Sequence, residues 1–259
     1  MFHVSEPDWD GIDLNRTKPP GNPVILQSWH DLIFFHARVS VENLRALVPS
    51  SLTVEEFDGS GWLGFVPFRM SGIRSPRAPA VPWLSSFYET NVRTYVTHPE
   101  HGPGVWFFSL DASRYLACWY ARQVFKLPYF HSILTGQIDD DSWVYSGHRK
   151  PRQLLPETGC DPAMLTDYLV SVRQAGPWHQ AERETFEFWL VERYRLYSMG
   201  KGDQVFTSRV FHEPYTIAAG NANKLEVNGL DSTFGNLDFQ SVLLAKTLNV
   251  QCFSIEQVS

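Results

Sequence analysis

Four residues at alternate positions of Phe87-Tyr88-Glu89-Thr90-Asn91-Val92-Arg93-Thr94-Tyr95-Val96 could do chemistry together: Glu89, Asn91, Arg93 and Tyr95. With the two-residue period of a strand they share one face, while Thr90, Val92, Thr94 and Val96 present a small, β-branched face to the other side. An arginine in a cavity can grip a carboxylate through two parallel hydrogen bonds, and a nearby glutamate can hold that arginine or transfer a proton. By the usual rise, Glu89 and Arg93 stand about 13 Å apart along the strand and do not touch. A small organic acid could bridge them. A solvated outer face would also accept this row, since charged residues are seldom buried unless paired. The apolar runs on both sides of the stretch favour a central strand, where the row becomes the wall of a cavity.

Further polar candidates are Tyr129, His36, His131, Arg149 and His212. His36 shares its face with Leu32 and Phe34 in the β-like run Ile25 to Val39, a setting more usual for a hydrogen-bonded core histidine than for a catalyst. His98 and His101 lie in a Pro/Gly turn without a further ligand nearby, so no metal is expected there. The acids Asp139, Asp140 and Asp141 read as a solvated hairpin tip.

The elements that must position these residues are mostly strands. Residues 1–24, closed by Pro19-Pro20-Gly21-Asn22-Pro23, read as an extended arm on a single domain spanning 25–259. Ser40 caps a helix over 41–48, stopped by Pro49. Leu52 to Phe57 and Trp62 to Met70 form a hairpin across Asp58-Gly59-Ser60-Gly61, with Pro67 at a bulge or edge. Residues 71–86 make a long proline-bearing loop of the kind that often serves as a lid or binding loop.

Asp111 caps the best helix, Ala112 to about Phe125, whose stripe of Tyr115, Leu116, Trp119, Tyr120 and Val124 is explained by core packing alone. Tyr129 then opens a strand that pairs with Trp143 to Arg149. Residues 150–176 carry no firm pattern, and Ala181 to Leu190 reads as a short helix. Strands follow at Glu192 to Met199 and Gln204 to His212, then a loop of about twenty residues, and a closing strand or pair over Val242 to Ile255. Many strands in hairpin order with one long helix predict a mainly β, α+β fold: an antiparallel, barrel-like sheet around a central cavity with a few outer helices.

Composition bounds the rest. Of 259 residues 43% are apolar and 14% aromatic, so the chain is globular and rich in side chains that suit pleated surfaces. A net charge of −6 with scattered basic residues offers no footprint for nucleic acid. No run approaches a membrane span and no signal-peptide pattern opens the chain, which predicts a cytoplasmic protein with no membrane partner. Cys118, Cys160 and Cys252 lack CxxC spacing and read as buried, reduced thiols. Self-association stays open.

Several motifs belong together: Phe34-Phe35-His36, Phe57-Asp58-Gly59, Val66-Pro67-Phe68, Glu89 to Val96, Gly104 to Asp111, Leu127-Pro128-Tyr129 and Glu192 to Tyr197. In order and density they resemble the YqjF-like family of uncharacterised bacterial proteins, from about residue 25 to the carboxyl end. That family is similar in turn to the acetoacetate decarboxylase-like superfamily. The resemblance implies a barrel-like fold around a buried cavity, with Glu89 at the place of a pocket glutamate. It also implies a lysine pair directly after a proline, one member of which forms a Schiff base. Here the matching Pro128 is followed by Tyr129 and Phe130. Neither side chain is a primary amine, which an imine requires. Lys126, two positions before that proline, points elsewhere if the helix continues.

The expectation is therefore a small-molecule pocket without a cofactor. Arg93, Asn91, His36 and His131 would bind an anionic or carbonyl-bearing ligand, and Glu89 with Tyr129 would carry imine-independent, lyase-like acid/base chemistry. A ligand sensor or carrier without turnover, and a structural barrel with no ligand, are the competing readings.

Overall fold

Aromatic and β-branched runs pair into one mixed, 16-stranded sheet. The computed structural model describes residues 7–81, 85–140, 142–150, 164–200, 202 and 204–258. In chain order the elements begin with α1 (Trp9–Arg16), β1 (Ile25–His30), β2 (Leu32–Val39), α2 (Val41–Arg45), β3 (Thr53–Val54), β4 (Gly61–Arg74), β5 (Phe87–His98) and β6 (Gly102–Ala112). They continue with α3 (Tyr115–Phe125), β7 (Tyr129–Ile138), β8 (Trp143–Arg149), β9 (Asp167–Gln174), β10 (His179–Gln180), α4 (Phe186–Val191), β11 (Arg195–Met199) and β12 (Val205–His212). Last come β13 (Thr216–Asn228), α5 (Asp231–Phe234), β14 (Phe239–Ala245), β15 (Leu248–Cys252) and β16 (Glu256–Gln257). No described helix is long and apolar enough to cross a membrane.

The sheet closes on itself through two pairings, β1 with β4 and β5 with β6, so that β1, β15, β12, β11, β6, β5 and β4 run in a circuit. It is not a regular barrel, because β7, β8, β9, β13, β14 and β2 leave the circuit at β6 and return to it at β4. The expected antiparallel pattern holds for most pairs but not all: β6 pairs in parallel with both β7 and β11. The reason is local. The segment from β6 to β7 passes through α3, and a helical crossover returns the chain in the same direction.

Two buried clusters occupy the two faces of β5. Phe87 and Tyr95 belong to one, with Val66, Phe68, Leu110 and Val250; Val92 and Val96 belong to the other, with Phe65, Tyr145, Tyr168 and Val170. The alternation read from the sequence thus sorts the side chains of β5 between two cores, and both faces of the strand are buried.

Several expectations fail for identifiable reasons. The arm is not wholly extended: Asp8 accepts from Gly11 N and caps α1, whose Ile12 and Asn15 are buried, Asn15 donating to Pro103 O. β3 pairs with β5 rather than β4, so the 52–70 hairpin is only a tight turn bridging Phe57 and Ser60. Pro67 is neither at an edge nor at a recorded bulge. It sits where β4 has left β2, at Phe65, and has not yet met β1, at Arg69, so on that side its missing N–H costs no ladder bond.

α3 starts at Tyr115, not Ala112, because Asp111 still belongs to β6, where it is buried in an ion pair with Arg149. The stretch after Tyr215 is not a loop: β13 is held between β9 and β14 despite its Ala, Gly and Asn content. Asp141, Cys160 and residues 151–163 of the weakly patterned 150–176 region lie outside the described residues. Cys118 and Cys252 are buried free thiols.

Candidate functional site

Inside the circuit lies a cavity of about 510 Å³. Its walls are mainly aromatic and aliphatic, among them Phe34, Phe68, Phe107, Leu110 and Val210. Phe87, Glu89, Asn91 and Arg93 of β5 also line it, so the polar row is a cavity wall and not a wet exterior. Phe108 is the extra residue of a bulge in β6, which leaves the alternation of β5 undisturbed.

The cavity is polarised along β5. Phe87 pairs with Met70 near the outer end of β4, and the exposed lining residues gather at that end: Arg74, Pro79 and Val81 on one lip, Leu116, Trp119 and Tyr120 of α3 on the other. Arg93 lies furthest from the mouth. Its Nη2 donates to Leu190 O at 3.3 Å, and its guanidinium lies 5.3 Å from the Phe34 ring centroid. Tyr95 anchors the same carbonyl, its hydroxyl donating to Leu190 O at 3.0 Å.

Glu89 is held by Tyr129, whose hydroxyl donates to Glu89 Oε2 at 2.9 Å. Burial pushes the Glu89 carboxyl up to about 8; the Tyr129 hydrogen bond opposes this, and the Asp111 carboxylate adds to it. The Tyr129 hydroxyl is pushed well above its ordinary range, first by burial and then by Glu89. Near neutral pH the pair therefore holds both protons, and Glu89 is a carboxylic acid. Two polar atoms on this wall are buried without a hydrogen-bond partner in the protein, Asn91 Oδ1 and Arg93 Nε. Buried polar atoms are seldom left so unless a ligand or water serves them.

The histidines are placed differently from the expectation. His36 is fully buried and does not line the cavity; it lies parallel to Phe34 with ring centroids 6.1 Å apart, and neither ring nitrogen has a partner. Burial, with Arg93 nearby, holds it well below the usual imidazole range, so it is neutral. His131 also stands outside the cavity. Two residues beyond Tyr129 on β7, it has passed the cavity edge and lies against the Tyr115 ring at 5.9 Å. Arg149 is engaged by Asp111 and Ser109 away from the cavity, and His212 is buried against Tyr194. Lys126, left-handed at the end of α3, turns its Nζ to Gln123 O.

Sequence reasoning missed Arg193 and Arg195, which line the deep end. Arg193 forms a buried ion pair with Glu55 at 2.5 Å and lies 4.9 Å from the ring centroids of both Tyr95 and Trp189. The run Glu192-Arg193-Tyr194-Arg195 does alternate, but two arginines beside an acid read as readily as a solvated strand. Only the closure of the sheet turns them inward.

With this geometry in place, the chain can be set beside known proteins. Residues 26–248 match the family model DUF2071, described as an uncharacterized conserved protein. "Uncharacterized protein YqjF" of Bacillus subtilis is 33% identical over 221 residues, covering 85% of this chain and 86% of that protein. Among solved structures, acetoacetate decarboxylase from Legionella pneumophila is similar with a TM-score of 0.63 at 12% identity, over 99% of this chain and 98% of its own. An acetoacetate decarboxylase-like enzyme from Sphingomonas wittichii RW1 gives 0.62 at 11% identity, over 92% and 94%. The enduracididine biosynthesis enzyme MppR complexed with pyruvate gives 0.61 at 11% identity, over 93% of each chain. At such identities the likeness establishes the acetoacetate decarboxylase-like fold.

Proposed function

The chain belongs to the DUF2071 family, and from that premise we propose that its cavity takes an organic molecule with a carboxylate or carbonyl group and an apolar body. The observation that carries this reading is the pair of partnerless buried atoms on β5, Asn91 Oδ1 and Arg93 Nε, in a mainly apolar cavity. Arg93 grips the carboxylate, while Asn91 Oδ1, an acceptor, takes a hydroxyl or N–H donor elsewhere on the ligand. The cavity volume falls within the range of about 300–1,000 Å³ common for small-molecule sites and leaves room for more than the head group. MppR, which shares the fold, is described with bound pyruvate, a 2-oxo acid.

Glu89 supplies the chemistry. As a carboxylic acid held by Tyr129 it gives its proton to the carbonyl oxygen of a 3-oxo acid while the C–C bond to the carboxylate breaks, so that CO2 leaves and the enol forms. When the enol returns to the ketone its hydroxyl gives the proton back to Glu89, and a proton from water enters at the carbon that lost CO2. No imine enters this scheme: Tyr129 and Phe130 follow Pro128, and the Lys126 amine is turned to a main-chain carbonyl. A second reading, a carrier or sensor, draws on the predominantly apolar lining, which suits retention better than turnover.

The test is a panel of 2- and 3-oxo acids given to the wild-type protein and to Glu89→Gln. Turnover that the substitution abolishes supports the acid/base reading. A raised melting temperature without turnover supports the carrier. Neither effect across the panel leaves a structural barrel.

A further inference from the structure

The stripe on α3 points away from the core. Tyr115, Leu116, Trp119 and Tyr120 are 55%, 51%, 54% and 48% exposed, whereas Cys118 and Phe125 are the residues the helix buries. Val81, 44% exposed, adds an apolar side chain on the other lip of the mouth. Large exposed apolar side chains gathered around a cavity mouth mark a binding face.

Charge identifies what it binds. The chain carries a net charge of −6, yet the two segments that carry these lip residues, 69–81 and 113–126, contain no Asp or Glu and have six basic residues: Arg69, Arg74, Arg77, Arg114, Arg122 and Lys126. Arg69 is paired with Asp31, while Arg74, Arg77 and Arg114 are exposed. The negative balance thus lies elsewhere on the molecule, and the mouth is an aromatic surface in a basic rim.

We propose that this face docks on an anionic lipid bilayer, with the cavity mouth opening toward the lipid. Trp and Tyr rings favour the headgroup boundary, and arginines nearby gain from anionic lipid phosphates. A second copy of the chain fits less well, because a two-fold interface through this face would set basic lips against basic lips with no acids from either segment to pair them. Surface docking needs no spanning helix, so it is consistent with the absence of one among the described residues. An apolar ligand dissolved in the bilayer would then reach the cavity without crossing water.

The experiment is flotation of the full chain with vesicles of phosphatidylcholine alone and of phosphatidylcholine with phosphatidylglycerol. The expected result is binding to the anionic vesicles about tenfold or more above the neutral ones, weakened by salt. The double variants Leu116→Ser/Trp119→Ser and Arg77→Glu/Arg114→Glu replace exposed side chains, and unchanged melting temperatures verify that they fold. Each is expected to lose about tenfold or more in binding. The proposal is overturned by absence of binding to either vesicle, or by binding that both variants retain. A solution dimer that Leu116→Ser/Trp119→Ser dissociates, in a protein that ignores vesicles, would overturn it too and make the face a self-association surface.

Discussion

The Tyr129 hydroxyl donates to Glu89 Oε2 across 2.9 Å, tying the first residue of β7 to the third residue of β5 inside a mainly apolar cavity. A phenol donating to a carboxyl in water would change little. Here burial outweighs the hydrogen bond, and the carboxyl keeps its proton up to about pH 8.

That shift has a stability signature. In the unfolded chain Glu89 ionises near 4.5, in the folded one near 8, so between those values the folded state binds the extra proton. Stability contributed by this group is complete below about pH 4.5 and falls as pH rises through the window, by at most about 1.4 kcal/mol per pH unit. Glu89→Gln should flatten that segment of the curve. Urea unfolding at intervals from pH 4.5 to 8, for both proteins, measures it.

Tyr129→Phe keeps the ring and removes the donor. The hydrogen bond lowers the Glu89 value, so its loss should move Glu89 titration above pH 8 and cost about 1 kcal/mol of stability. Carbon-13 NMR of the labelled Glu89 carboxyl reads the first effect, and denaturant unfolding the second.

How far the sequence disclosed this site depends on the residue. Glu89, Asn91 and Arg93 were legible because alternation along one strand is a local property, and the apolar runs around that strand put it in the middle of the sheet. The α3 stripe was legible as a face but not as an exposed one: periodicity groups Tyr115, Trp119 and Tyr120 without saying which neighbour, if any, they meet. Arg193 and His131 depend on closure of the sheet and on where β7 leaves the cavity, which are relations among distant segments. The parallel pairing of β6 with β7 and β11 was hidden for the same reason, while the β7–β8 and β11–β12 hairpins, joined locally, were plain.

The buried ion pair Arg149–Asp111, 2.5 Å apart, offers a test of the layer behind the cavity. Arg149→Met leaves the Asp111 carboxylate uncompensated and should cost about 3–5 kcal/mol, whereas adding Asp111→Asn should recover much of the loss. A denaturant double-mutant cycle measures the coupling.

Arg93→Met should weaken binding of carboxylate ligands by about tenfold to a hundredfold, because charge-assisted hydrogen bonds are worth about 1.5–3 kcal/mol, while leaving the corresponding methyl esters far less affected. Titration calorimetry with acid and ester pairs separates the two.

A crystal structure of the protein grown with a saturating oxo acid addresses the site most directly. The expected map shows the acid inside the β5 wall, its carboxylate on Arg93 and its carbonyl oxygen within hydrogen-bonding reach of Glu89. Density continuous with a lysine nitrogen, or an acid bound only outside that wall, would contradict the assignment.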